Sequence, residues 1–191
     1  MEKKDHSHLS EFVQNGREES FQVIADRWYP AIYRFAYSYF GNRDDASEIA
    51  QKTLIKVHQN IRSLKKVDSF KSWIYRIANN LCLDEMKRAG RRKSEPLSLI
   101  PKQHQLSKST PASDLEKKEL NLLIRQALNQ LQEEIRAVVI LKQFEEMTFS
   151  EIGEVLQIPE GTAKTRMYKG LNQLGSILNQ WNIETDYLNN D

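Results

Sequence analysis

Hydrophobic positions recur at three- and four-residue intervals along most of the chain, the spacing that places apolar side chains on one face of a helix. Phe21, Ile24 and Trp28 form one stripe. Ile32, Phe35, Ala36 and Tyr39 form a second, which stops before Gly41-Asn42, a natural helix end. Asp44 or Asp45 is placed to cap a third helix carrying Ile49, Thr53, Leu54, Val57 and Ile61 on one side. A fourth starts near Asp68-Ser69 and carries Phe70, Trp73, Ile74, Ile77, Ala78 and Leu81. No stretch of strand length alternates between turn signals. The pattern predicts an all-α fold. The first residues, with His6 and His8, show no sustained stripe and are expected to be loose.

The pattern lapses between Ser94 and Ser113, which hold Pro96, Pro101 and Pro111 together with five serines. This reads as a flexible or partly extended linker. It divides the chain into a helical domain over residues 1–93 and a second over 114–181, followed by an acidic tail over 182–191. Each domain is expected to have its own small core.

In the second domain, residues 115–131 and 133–143 each form an amphipathic stretch. Thr148 and Glu151 then have capping-box spacing and mark a helix start. That short helix uses Ile152, Val155 and Leu156 and stops at Gln157-Ile158-Pro159. A long helix follows, with Ala163, Met167, Leu171, Leu174, Leu178 and Trp181 expected to point inward.

Composition narrows the function classes. Leu, Ile, Val and Phe make up about a quarter of the residues, enough for a packed core. The 28 Lys and Arg against 26 Asp and Glu leave a net charge of +2, so any affinity for nucleic acid must come from charge placement. The single cysteine, Cys82, excludes an internal disulfide framework and suits a reducing compartment; it reads as a small buried hydrophobe. No signal peptide is expected, and the longest apolar run, 137–141, is far shorter than a membrane span, so the expected location is cytoplasmic. Catalysis finds no footing. The four histidines are scattered, and neither a paired-cysteine site nor a phosphate-binding glycine loop occurs, so no metal, cofactor or small-molecule substrate is expected.

Four constellations carry other chemistry. Residues 148–170 have helix-turn-helix geometry, a short helix, a tight break and a second helix able to enter a major groove. On that second helix Lys164, Thr165, Arg166 and Lys169 are left for the outer face. Gly161 and Thr162 at its start offer backbone N–H groups and a hydroxyl to a phosphate. Lys87, Arg88, Arg91, Arg92 and Lys93 put five cations at a helix end, which suits both the helix dipole and a polyanion.

Upstream of them, residues 70–80 interleave Phe70, Trp73 and Tyr75 with Lys71, Arg76 and the pair Asn79-Asn80. This could support unstacked bases, although Trp73 fits a core position better. Asp44, Asp45 and Glu48 suit a helix N-terminus; Asp44, Glu48 and Gln51 also share one helix side and could dock a partner.

These segments, in this order, resemble the extracytoplasmic-function sigma factors of bacterial RNA polymerase. Residues 45–51 look like the family's core-polymerase-binding motif, residues 69–80 like its Trp-Leu-Tyr-Arg-Ile-Ala-x-Asn segment, and residues 131–136, 151–152 and 161–166 like its second conserved domain. The resemblance implies a factor that binds core polymerase and directs promoter-specific initiation. The first domain would bind the polymerase clamp through Asp44, Asp45, Glu48 and Gln51. It would read a melted minus-10 strand through Phe70, Arg76, Asn79, Asn80 and the cations Lys87, Arg88, Arg91 and Arg92. Asn80 and the loop over 64–70 would form a flipped-base pocket, and the linker would thread toward the polymerase active-site channel.

The second domain would read the minus-35 duplex through Gly161, Thr162, Lys164, Thr165, Arg166 and Lys169. An anti-sigma factor is an implied partner. The chain departs from the family pattern at Ser47, Ala50 and Lys52, and at Gly153, Gln157 and Ala163, where Ala, a turn Gly and Val are usual. The alternative reading is an autonomous helix-turn-helix regulator that binds duplex DNA without polymerase. It gives no reason for the basic, aromatic segment from Phe70 onward.

Overall fold

The computed structural model describes residues 3–64, 66–92 and 114–181, which contain helices and no strand. The linker read over 94–113 and the acidic tail lie outside the described residues.

The first unit comprises α1 (Lys3–Asn15), α2 (Glu18–Phe40), α3 (Arg43–Asn60) and α4 (Phe70–Arg92), with 3-10 turns at Ile61–Ser63 and Val67–Ser69. The residues expected to be loose form α1. Leu9 is fully buried and Phe12 nearly so, and Glu11 accepts a hydrogen bond from Ser20 Oγ at 2.8 Å while pairing with Arg17. A stripe of only three apolar residues is too short to stand out in the sequence, but it packs against α2 and the 3-10 turn before α4.

The two stripes read between Phe21 and Tyr39 lie on one continuous helix that runs through Pro30. Burial of Ile24, Ile32, Phe35, Ala36 and Tyr39 along its length outweighs the hydrogen bond a proline removes. Gly41 ends α2 at φ 70°, a left-handed position that glycine adopts without steric cost. The cap of α3 is Asn42 rather than Asp44 or Asp45: its side chain accepts from the Asp45 N–H at 2.8 Å, and its amide donates back to the Asp45 carboxylate.

The second unit comprises α5 (Asp114–Gln130), α6 (Glu133–Gln143), α7 (Phe149–Leu156) and α8 (Glu160–Gln180). Arg136, 6 % exposed, sits inside the α5–α6 turn. Its guanidinium donates to Asn129 Oδ1 and to the carbonyls of Asn129 and Leu131, closing α5 at its C-terminal end. On α8, Ala163 and Met167 are buried, Leu174 is half-buried, and Leu171 faces solvent at 41 % exposure, against the inward position expected for it. Gly170 takes the inward place, where a Cβ would lie 2.6 Å from Val139 and 2.9 Å from Ile135.

The two units do not keep separate cores. α7 packs along α4, and α5 and α6 touch α2, so the buried side chains of both units form one contiguous cluster.

Candidate nucleic-acid and polymerase interfaces

The helix-turn-helix is built by local chemistry. Thr148 Oγ1 accepts from the Glu151 N–H at 3.2 Å, and the Glu151 carboxylate accepts from the Thr148 N–H at 2.8 Å, a reciprocal capping box. α7 ends at Gln157, which is left-handed at φ 56°. The chain then folds back so closely that a Cβ on residue 153 would lie 2.8 Å from the Ile158 carbonyl oxygen. Gly153 therefore does more than cost helix propensity. It opens the space for a turn whose left-handed residue is not a glycine.

α8 presents its polar face outward. Lys164 and Lys169 are exposed, Thr165 is exposed with its hydroxyl donating to the Gly161 carbonyl at 2.9 Å, and Arg166 is half-buried. Lys164 pairs with Glu160 at 2.6 Å, and this hydrogen bond raises its pKa, so it stays charged. At the helix start Gly161 is exposed, but the Thr162 N–H already donates to the Pro159 carbonyl at 2.9 Å and is not spare for a phosphate.

On α4 the expected DNA-facing residues divide. Phe70 is fully buried, and its ring packs edge-on to Trp28 at 5.4 Å. Asn79 is 4 % exposed, and its Oδ1 accepts from the Tyr39 hydroxyl at 2.8 Å. Both are packed inside and do not reach the surface. Asn80 is exposed, Arg76 is half-buried, and Trp73 is half-buried against the core. Lys87 and Arg88 are exposed, the latter 3.7 Å from Glu85, while the side chains of Arg91 and Arg92 lie outside the described residues. Cys82 is buried, which pushes its thiol pKa up.

On α3, Asp44, Glu48 and Gln51 are exposed on one side, with Glu48 paired to Lys52, and Asp45 turned toward Asn42. Gln51 reaches Ser47 at 3.4 Å, and Ser47 is 3.0 Å from the Tyr29 hydroxyl. Ile55 continues this face as an apolar residue at 55 % exposure. Asp44, Glu48, Gln51 and Ile55 form a mixed acidic and apolar strip along the exposed side of α3.

The family models for sigma-70 region 2 and sigma-70 region 4 match residues 24–92 and 121–174. The extracytoplasmic-function (ECF) sigma factor SigW of Bacillus subtilis is 33 % identical over 173 residues, covering 85 % of this chain and 90 % of SigW. The chain belongs to the ECF sigma factors. As such it binds core RNA polymerase and directs promoter-specific initiation. SigE of Mycolicibacterium smegmatis is 32 % identical over 168 residues, covering 88 % of this chain and 63 % of that protein.

Two solved structures share the fold of this sigma factor. One is a chain in the structure of CnrH in complex with the cytosolic domain of CnrY, with TM-score 0.70, 18 % identity, and coverage of 93 % of this chain and 99 % of that one. The other is a chain in the complex of the sigma factor RpoE with the anti-sigma factor NepR from Bartonella quintana, with TM-score 0.64, 23 % identity, and coverage of 84 % and 98 %.

One set of polar residues in this sigma factor escaped sequence reasoning, the set between its two units. Lys71 Nζ lies 3.1 Å from Glu151 Oε1, and the Tyr75 hydroxyl donates to Glu145 Oε2. The guanidinium of Arg125 on α5 stacks 4.3 Å from the Tyr37 ring centre on α2. Burial raises the Glu145 pKa against the opposing pull of Tyr75, Arg34 and Lys71. For Glu151 burial also acts upward, but the Thr148 N–H and Lys71 outweigh it and hold the carboxyl low. These partners are 70 and 80 residues apart, and no local spacing announces them.

Proposed function

We propose that the two units divide promoter recognition, with the outer face of α8 reading the minus-35 duplex and Asn80 on α4 holding a base of the melted minus-10 strand. Lys164, Thr165, Arg166 and Lys169 supply base-edge and phosphate contacts, while Lys87 and Arg88 follow the strand backbone. The Asp44, Glu48 and Gln51 side of α3 docks on the polymerase clamp. The observation that carries this reading is the coexistence on one chain of a docking strip, an exposed asparagine next to cations, and a capped helix-turn-helix with its basic face outward. The protein works in the cytoplasm and contributes binding rather than catalysis. Because the RpoE relative of this fold is held by an anti-sigma factor, the same class of partner is proposed here.

Magnitudes explain the need for a polymerase. Opening about ten base pairs costs on the order of 1.4 kcal/mol per stacked step, over 10 kcal/mol in all. Capturing one or two bases returns roughly 1–3 kcal/mol each. The chain secures an opening that a larger machine stabilises.

The test adds the purified protein to sigma-free core polymerase on a pool of native promoter fragments. New, protein-dependent start sites sharing two upstream elements are expected. Salt-sensitive binding to a palindromic duplex without polymerase, and no start sites, would favour the autonomous regulator instead.

A further inference from the structure

α1 carries none of the surfaces assigned above, yet its buried residues Leu9 and Phe12 sit where the first unit is joined together. The Phe12 ring lies 5.0 Å from Phe21 near the start of α2 and 5.3 Å from the His58 imidazole in the last turn of α3. Phe21 meets His58 edge-on at 4.8 Å, and His58 Nε2 lies 3.0 Å from Glu18 Oε2. The end of α3 is therefore gripped by α1 and α2 together. α1 also packs against the 3-10 turn at Val67–Ser69, which leads into α4. Between these two footholds runs the loop that joins α3 to α4. α1 is tied to both of its stems.

The loop itself is thinly anchored. Ile61 is buried and Leu64 and Val67 are half-buried against the core, but Arg62, Ser63, Lys66 and Asp68 are exposed. Its backbone closes two short turns, from the Leu64 N–H to the Ile61 carbonyl and from the Ser69 N–H to the Lys66 carbonyl. α1, in contrast, is fastened to α2. Gly16 makes the turn between them at φ 64° with open space around it, and the Glu11 carboxylate accepts from Ser20 Oγ at 2.8 Å while pairing with Arg17. A binding pocket must hold its walls to within about 0.5 Å of the productive geometry, which takes packed support behind them. A wall made of an exposed loop depends on whatever fixes its stems, and here that is α1.

We infer that α1 is a positioning element for base capture: Phe12, wedged against Phe21 and His58, fixes the spacing of the two loop stems and so sets how sharply one minus-10 base is discriminated. The inference rests on the base-capture role proposed above for α4, with the loop over 64–70 as the second wall of the pocket. α1 touches no base in this scheme. It acts by pre-organising the loop, so its loss costs selectivity at one position rather than initiation at every promoter. The docking strip begins in the first turn of α3, at the opposite end from His58, and α8 belongs to the other unit, so both should be left as they are.

The test uses the full chain with core polymerase on promoter fragments that differ at one minus-10 base at a time. Phe12→Ala should lower the ratio of initiation between preferred and other bases at one position by about fivefold, the low end of what capturing a base is worth. Preference at the minus-35 element and binding to polymerase should be unchanged, and Phe12→Leu, which restores most of the apolar contact, should recover most of the ratio. Ser20→Ala frees Glu11 without opening the core, so a smaller fall should be readable in a protein that keeps its packing. Ile49→Val, a truncation in the first half of α3, should lower initiation on all fragments alike. An unchanged ratio in Phe12→Ala, or a uniform loss like that of Ile49→Val, would overturn the inference. Asn80→Ala separates this from the role given to α4. A ratio that falls with Phe12→Ala but not with Asn80→Ala upholds α1 and removes Asn80 from the pocket, whereas a fall with Asn80→Ala alone keeps the pocket and overturns α1.

Discussion

α4 and α8 carry the two candidate DNA surfaces, and they are built in opposite ways. α8 buries one face, through Ala163, Met167 and Gly170, and leaves Lys164, Thr165 and Lys169 outside. α4 is enclosed: Phe70, Ile74, Tyr75, Ala78, Asn79 and Cys82 are all buried, and α7 covers part of what remains. A helix destined for a duplex groove needs a clean polar face, because the groove is already present. A helix that holds a base out of the stack needs a rigid wall, and most of its residues are spent on that wall. The same residue types therefore mean different things on the two helices. An asparagine on α4 is a core hydrogen-bonding group at position 79 and a surface group at position 80.

The largest expected effect tests how tightly α8 is seated. Gly170→Val would drive a branched side chain into Ile135 and Val139, so the second unit should lose about 3 kcal/mol, read by chemical denaturation. Retained stability would mean that the inner face of α8 is looser than described. Next, Lys169→Ala should reduce promoter-specific initiation by about tenfold while polymerase binding is retained. An equal loss of polymerase binding would remove Lys169 from the DNA surface.

The asparagine pair sharpens the comparison further. Asn79→Ala strands the buried Tyr39 hydroxyl and should cost about 1–3 kcal/mol of stability without changing which promoters are used. Asn80→Ala should leave stability within about 0.5 kcal/mol and change preference at one minus-10 base. If the two variants exchanged phenotypes, the assignment of faces on α4 would be wrong.

The smallest effect concerns Glu145, whose pKa is raised by burial. A carboxyl with a raised pKa contributes stability that is fully present below its unfolded pKa and is lost as pH rises through the folded value. Glu145→Gln should therefore leave the melting temperature unchanged in acid and raise it slightly at neutral pH. A Glu145→Gln protein less stable at neutral pH would show that the ionised carboxylate is well satisfied.

Legibility in the sequence followed the range of the interaction that decides each feature. The capping box at Thr148, the stop at Gln157 to Pro159 and the bounds of α6 rest on contacts within a few residues, and these are where reading and structure agree. The cap of α3 was displaced to Asn42 because Asn, Asp44 and Asp45 all have capping side chains, and only backbone geometry chooses among them. α1 stayed hidden because its three-residue apolar stripe is short, and its helix depends on burial of Leu9 and Phe12 against α2 and the 3-10 turn at Val67–Ser69. Leu171, expected inward, faces solvent because the close approach of α6 to α8 selects Gly170 for the contact. The docking strip, Asn80 and the basic face of α8 were readable as candidates. The charged contacts between the units were not, since their partners meet only when two folded units do.

The most direct test of divided reading is start-site sequencing on a pool of promoter fragments varied in both upstream elements, using core polymerase with the wild-type protein, Lys164→Ala and Asn80→Ala. The account predicts that Lys164→Ala redistributes initiation according to the minus-35 sequence alone and Asn80→Ala according to the minus-10 sequence alone. Both variants shifting preference at the same element, or both lowering every promoter alike, would contradict it.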